Sequence, residues 1–133
     1  MLSDDSGFNS MNGSPGDDTM DGTGSLKGAG ADLIDASGFG DTINGGEGGD
    51  AMLGSNGADD MSGGGGNDAM QAGNAADIMS GGAGHDRMRA QVSDDTIYAV
   101  EGERDRIFCS LEKDTVETDD VDFLDHCGVV TRL

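Results

Sequence analysis

An apolar residue stands at every ninth position through the middle of this chain: Ile34, Ile43, Met52, Met61, Met70, Met79, Met88 and Ile97. Two residues before each stands an aspartate: Asp32, Asp41, Asp50, Asp59, Asp68, Asp77, Asp86 and Asp95. The stretches between are rich in glycine, and the unit reads Gly-Gly-x-Gly-x-Asp-x-apolar-x. It is clearest at 45–53, 54–62, 63–71 and 81–89. A short fixed period of this kind sets a repeat architecture before any single residue is weighed.

Each unit divides into a loop and a strand. Its first six residues form the loop, where glycine at the second and fourth positions lets the backbone take positive φ without a Cβ clash. Its last three residues form a minimal strand whose middle side chain points inward, because strand side chains alternate faces. Two consecutive units make one coil. The predicted fold is all-β: a right-handed parallel β-roll of two facing sheets, with coils stacked roughly 4.8 Å apart. About six coils would give a rod on the order of 30 Å long.

The frame extends upstream as Asp18 with Met20, and as Asn9 with Met11. The step from Met20 to Ile34 is longer than one unit, so 22–27 is irregular. Gly22–Gly24 reads there as a shortened loop and Ser25-Leu26-Lys27 as a short strand. Downstream of Tyr98 glycine becomes rare. Asp105-Arg106-Ile107 and Asp114-Thr115-Val116 still carry the pattern, and Asp122-Phe123-Leu124 is a shorter echo. Phe108, Phe123, Leu124, Val129 and Val130 give this end the apolar weight the roll lacks. The expected organisation is therefore a roll over 1–98 and a terminal cap over 99–133, since repeat arrays need capped ends.

Successive loops differ by parity. Those ending at Asp32, Asp50, Asp68 and Asp86 carry glycine at position two (Gly28, Gly46, Gly64, Gly82) and at position four (Gly30, Gly48, Gly66, Gly84). Those ending at Asp41, Asp59, Asp77 and Asp95 carry Phe39, Gly57, Ala75 and Ser93 at position four. A coil of two units puts each set on its own edge, one close to the pattern and one departing from it.

Composition changes the picture in two ways. The chain has 27 acidic and 7 basic residues, a net charge of -20, and few aromatic residues. Low apolar content with high charge is the signature of disorder, but here the aspartates are spaced rather than gathered in one tail. Nucleic acid as a partner is excluded, because it needs a basic surface. No apolar run is long enough to span a membrane. Seven of the eight methionines sit on the apolar position, where Met serves as an adaptable core filler. No basic-plus-apolar leader stands at the N-terminus, which leaves the cytosol, an uncleaved export signal or a trimmed chain.

The nonapeptide resembles the RTX (repeats-in-toxin) family of secreted calcium-binding proteins. The segment from Asp105 through Cys127 also resembles the tail of some secreted actinobacterial members. The resemblance implies a bacterial protein exported to the extracellular space or cell surface, and several calcium ions shared between stacked loops. On this chain the well-patterned edge would hold ions between Asp32, Asp50, Asp68 and Asp86, and the other between Asp41, Asp59, Asp77 and Asp95, with Asp18 upstream. Carbonyls of Gly45, Glu47, Gly49, Gly63, Gly65 and Asn67 would be co-ligands, since calcium takes six to eight hard oxygens at roughly 2.3–2.6 Å. Aspartate in a glycine-rich turn also has a plainer use as turn chemistry. Eight in register favour the ion, because stacked carboxylates repel without one.

The expected function is calcium binding that drives folding of an exported, non-enzymatic roll, structural or surface-associated. The open strand edges of its N-terminal coil would permit end-to-end or edge-to-edge self-association. The alternative is a C-terminal secretion and folding module of a larger toxin or hydrolase. Cys109 and Cys127, an even pair in an exported protein, suggest a disulfide. His85 and His126 are too far apart in the chain for zinc spacing, and His85 reads as solvated. Ser93 and Ser110 have no matching histidine and acid, so no catalytic site is expected.

Overall fold

A computed structural model of the chain describes residues 30–110 and 112–133, together with the strand backbone at 2–3, 10–12 and 19–21. Every regular element among the described residues is a strand. In chain order these are β1 (Leu2–Ser3), β2 (Ser10–Asn12), β3 (Thr19–Asp21), β4 (Leu33–Asp35) and β5 (Thr42–Glu47). Next come β6 (Ala51–Asn56), β7 (Asp60–Gly65), β8 (Ala69–Asn74), β9 (Ile78–Ala83) and β10 (Arg87–Arg89). The last five are β11 (Thr96–Ala99), β12 (Arg106–Phe108), β13 (Thr115–Thr118), β14 (Phe123–Asp125) and β15 (Val129–Arg132).

Odd strands form one sheet and even strands the other, each in chain order and each parallel throughout. The register is one coil, two units of the repeat: Ile43 pairs with Met61, Met61 with Met79, and Met52 with Met70. This is the two-sheet β-roll that the ninefold pattern predicts. The two facing columns of Ile34, Met52, Met70, Met88 and Ile107 and of Ile43, Met61, Met79, Ile97 and Val116 are buried at 3% exposure or less and form the core.

The structure revises three local readings. The central strands are six residues long, not three, because ladder pairing runs on into the glycine-rich segment: Gly46 pairs with Gly64 and Gly64 with Gly82. Each unit therefore points two side chains inward, the apolar one and the first residue of the next unit, as the burial of Ala36, Ala72, Ala90 and Ala99 shows. The third concerns the long step before Ile34. Thr19 pairs with Thr42 and Ser10 with Leu33, so β3 pairs directly with β5 and β2 with β4, and β3 and β4 lie in opposite sheets. Ser25–Lys27, expected as a strand, lies outside the described residues.

The terminal segment 99–133 continues both sheets through β12–β15. The coil lengthens there from 18 residues (Asp68 to Asp86) to 19 residues (Asp86 to Asp105), then shortens to 17 residues (Asp105 to Asp122). A disulfide joins Cys109 and Cys127, with Cα atoms 4.9 Å apart. That is the spacing of adjacent strands. Each cysteine follows a strand of the same sheet, one coil from the other, so parallel stacking alone brings the pair into bonding range.

Candidate metal centre

Every aspartate of the ladder from Asp32 to Asp95 is buried, at 1–3% exposure, at the turn between the sheets. The main-chain N–H of each donates to Oδ1 of the aspartate one coil later. On one edge the pairs are Asp32 to Asp50 (2.7 Å), Asp50 to Asp68 (2.8 Å), Asp68 to Asp86 (2.8 Å) and Asp86 to Asp105 (2.8 Å). On the other they are Asp41 to Asp59, Asp59 to Asp77 and Asp77 to Asp95 (all 2.8 Å), then Asp95 to Asp114 (3.0 Å). One oxygen of each carboxylate thus serves as turn chemistry, fastening coil to coil.

The other oxygen is left over. Oδ2 of Asp50, Asp59, Asp68, Asp77, Asp86 and Asp95 is buried with no hydrogen-bond partner. Buried polar atoms are nearly always paired, so six orphans in two rows demand a ligand. Those of Asp50, Asp59, Asp68 and Asp86 sit over the bare Cα of the glycine that opens their own unit, whereas the units of Asp77 and Asp95 open on Ala72 and Ala90. A β-carbon on Gly45 would lie 2.5 Å from Asp50 Oδ2 and 2.6 Å from the Gly63 carbonyl oxygen. On Gly54 it would meet Asp59 Oδ2 and the Ala72 carbonyl, and on Gly63 it would meet Asp68 Oδ2 and the Gly81 carbonyl. A carboxylate oxygen and a carbonyl oxygen from the next coil therefore converge where a side chain is missing.

The role of this first column was not read from the sequence, although the signal was present. From Ala36 to Ala99 it holds only glycine or alanine.

Other expected ligands fall around these cradles. Gly45 and Gly63 are buried in β5 and β7, and the Gly63 carbonyl faces the Gly45 cradle. The Gly65 carbonyl accepts the Gly48 N–H at 2.6 Å, and the Asn67 carbonyl stacks over Gly49. Glu47 is exposed, and its carboxylate lies against Gly65. Asn67 Oδ1 accepts the His85 N–H at 2.9 Å. His85 is exposed, yet its Nδ1 takes the Arg104 N–H at 3.2 Å, so it is more than solvated. Asp18 lies outside the described residues.

Electrostatics follows from this burial. Desolvation is the main cause that pushes Asp68 and Asp95 up to about 6, and Asp77 and Asp105 up to about 7. The N–H bond from the preceding coil opposes the shift, and the stacked carboxylates add to it. Asp50, Asp59 and Asp86 are raised for the same leading reason. Among the described residues no three carboxylate, imidazole or thiol groups come together. A site here draws instead on paired carboxylates and main-chain carbonyls, the hard oxygen set that calcium takes.

The parity of the loops is visible in the backbone. Phe39 (φ 82°), Ala75 (φ 86°) and Ser93 (φ 95°) occupy the left-handed region on the Asp41–Asp95 edge, as do Ser37 and Ser55 at position two. On the opposite edge the residues there are Gly48 (φ 132°), Gly66 (φ 128°) and Gly84 (φ 137°). Their Cα atoms also press on the carbonyl of the coil below, so that a β-carbon on Gly66 would overlap the Gly48 oxygen.

A family model, the RTX calcium-binding nonapeptide repeat (4 copies), matches residues 1–24, 28–61, 35–70, 53–88 and 71–103. The chain belongs to the RTX calcium-binding repeat family. No curated protein and no solved structure matches it. For an RTX roll the fit is direct. The orphaned Oδ2 atoms and the carbonyl-lined cradles are an oxygen set in want of a cation, and the family's ion is calcium.

Proposed function

We propose that this chain is an exported bacterial protein whose roll folds around calcium, with a structural or surface-associated role. The six buried, unpartnered Oδ2 atoms carry this reading. The ions would lie between stacked loops, held by Asp32, Asp50, Asp68 and Asp86 on one edge and by Asp41, Asp59, Asp77 and Asp95 on the other, with Asp18 upstream. Carbonyls of Gly45, Glu47, Gly49, Gly63, Gly65 and Asn67 would complete the shells. Calcium supplies positive charge to a chain of net charge -20 and is bound only by the stacked form, so it shifts the equilibrium toward the fold. The apolar core alone is narrow, one large side chain per unit, against the backbone entropy of a glycine-rich chain. Residues 99–133 would cap the roll. Self-association through strand edges of the N-terminal coil would be an additional property.

The test is a calcium titration followed by far-ultraviolet circular dichroism. The spectrum should move from coil to β at millimolar calcium and return with chelator. A full β spectrum in excess chelator would contradict the reading.

A further inference from the structure

The aspartate ladder does not end at Asp95; Asp105, Asp114 and Asp122 carry it into the last coils, where its chemistry changes. Asp114 takes the Asp95 N–H on Oδ1 at 3.0 Å. Its Oδ2 takes the Ser110 N–H at 2.7 Å and the Ser110 hydroxyl at 3.2 Å. Ser110 Oγ itself accepts the Glu112 N–H at 3.0 Å, which leaves its proton for Asp114. Asp122 takes the Asp105 N–H on Oδ1 at 2.9 Å. Its Oδ2 takes the Thr118 hydroxyl and the Asp119 N–H at 3.4 Å. Both oxygens of each terminal carboxylate are therefore satisfied by protein, whereas Oδ2 of the six aspartates from Asp50 to Asp95 named above is satisfied by none.

The substitution is positional. Thr118 is fully buried and stacks on Ala99, in the column that holds only glycine or alanine from Ala36 to Ala99. Upstream, the small residue leaves a cradle over which Oδ2 hangs unpaired. At Thr118 a hydroxyl fills it. Ser110 does the same for Asp114 from the next position along, after Cys109. We infer that the metal ladder stops before the last coil. Asp114 and Asp122 take no calcium, and Ser110 and Thr118 stand in for the ion. The terminal coil, fastened by Cys109–Cys127, is a metal-independent platform on which the metal-dependent coils stack.

This inference rests on the calcium reading above, and one experiment separates the two. Ions bound to the full-length chain in saturating calcium are counted by native mass spectrometry. Asp68→Asn and Asp77→Asn should each lower the count, while Asp114→Asn and Asp122→Asn should leave it at the wild-type value. A lowered count in either terminal variant overturns the inference, whereas a wild-type chain that binds no calcium overturns the calcium reading instead. Hydrogen exchange on the wild-type chain guards against variants that fail to fold. On moving from calcium to chelator, amides of 115–132 should keep their protection while those of 42–83 lose it. Equal loss in both segments overturns the inference.

Discussion

At the scale of the residue, glycine and aspartate each do two jobs. Gly66 takes a φ of 128° and also clears the Gly48 carbonyl of the coil below. Left-handed backbone costs a non-glycine residue roughly 1–2 kcal/mol, and here a steric overlap adds to it. Gly66→Ala should lower the unfolding free energy at fixed calcium by at least that much, read as a lower thermal or denaturant midpoint. Ala75 occupies the matching position on the other edge at φ 86°. Ala75→Gly should be neutral or stabilising there, against the usual cost of glycine. A stable Gly66→Ala variant would contradict the close-approach argument. The aspartates predict a pH response. Burial raises Asp68 and Asp95 to about 6, and Asp77 and Asp105 to about 7, above the ordinary carboxylate value of 3.8. For the ion-free roll, protonation of these groups is stabilising. That contribution is complete below about pH 4 and is lost as pH rises through 6 to 7. In chelator the chain should gain β signal on acidification from pH 7.5 to 5. With calcium present the sign reverses, because protons compete for the same oxygens, and the calcium midpoint should rise over that interval. A calcium midpoint independent of pH would show that these carboxylates are not ligands.

At the scale of the element, the two edges share one hydrogen-bond scheme but not one backbone cost. The 2.8 Å N–H to Oδ1 ladder is the same through Asp50–Asp68–Asp86 and through Asp59–Asp77–Asp95. Five non-glycine residues hold left-handed conformations on the second edge: Ser37, Phe39, Ser55, Ala75 and Ser93. On the calcium reading, the cost of arranging those loops would be drawn from the free energy of ion binding. Ions should therefore be better occupied on the Asp50–Asp86 side in a calcium-soaked crystal at limiting calcium. Equal or reversed occupancy would mean that the strain is relieved in some other way. This asymmetry was legible in the sequence as the parity of position four, because a coil of two units sorts alternate units onto opposite edges.

At the scale of the whole molecule, the question is where stacking begins. A glycine-rich coil has little to offset the entropy of closing its first turn. Beyond Tyr98 the composition differs: Ile107 and Val116 are fully buried, Arg87 and Arg89 lie over the Phe108 ring, and a disulfide joins adjacent coils. A cross-link closing a loop of this length contributes on the order of 3 kcal/mol. Once an edge exists, each further coil adds strand pairing and, on the calcium reading, would add ion sites with it, as in one-dimensional repeat folding. Deleting residues 99–133 should raise the calcium midpoint sharply or abolish folding, while trimming residues 1–12 should matter little. A capless chain that folds at the same calcium concentration would remove any nucleating role from that segment.

The sequence by itself determined the β-roll, its two-unit coil, its core of Met and Ile, and the aspartate ladder. All of these are one-dimensional periodicities, and a solenoid turns sequence period directly into spatial neighbourhood. What it could not specify is how one carboxylate divides its two oxygens. Whether Oδ2 of Asp68 is orphaned while that of Asp122 is held by Thr118 depends on which residue the next coil delivers to that point, and on coils that lengthen and then shorten toward the terminus. The same holds for Ser110, which alone suggests at most a failed nucleophile, and for the bare Cα of Gly45, Gly54 and Gly63. Their meaning lies in contacts a whole coil away, where stacking brings a carbonyl and a carboxylate together over a missing side chain.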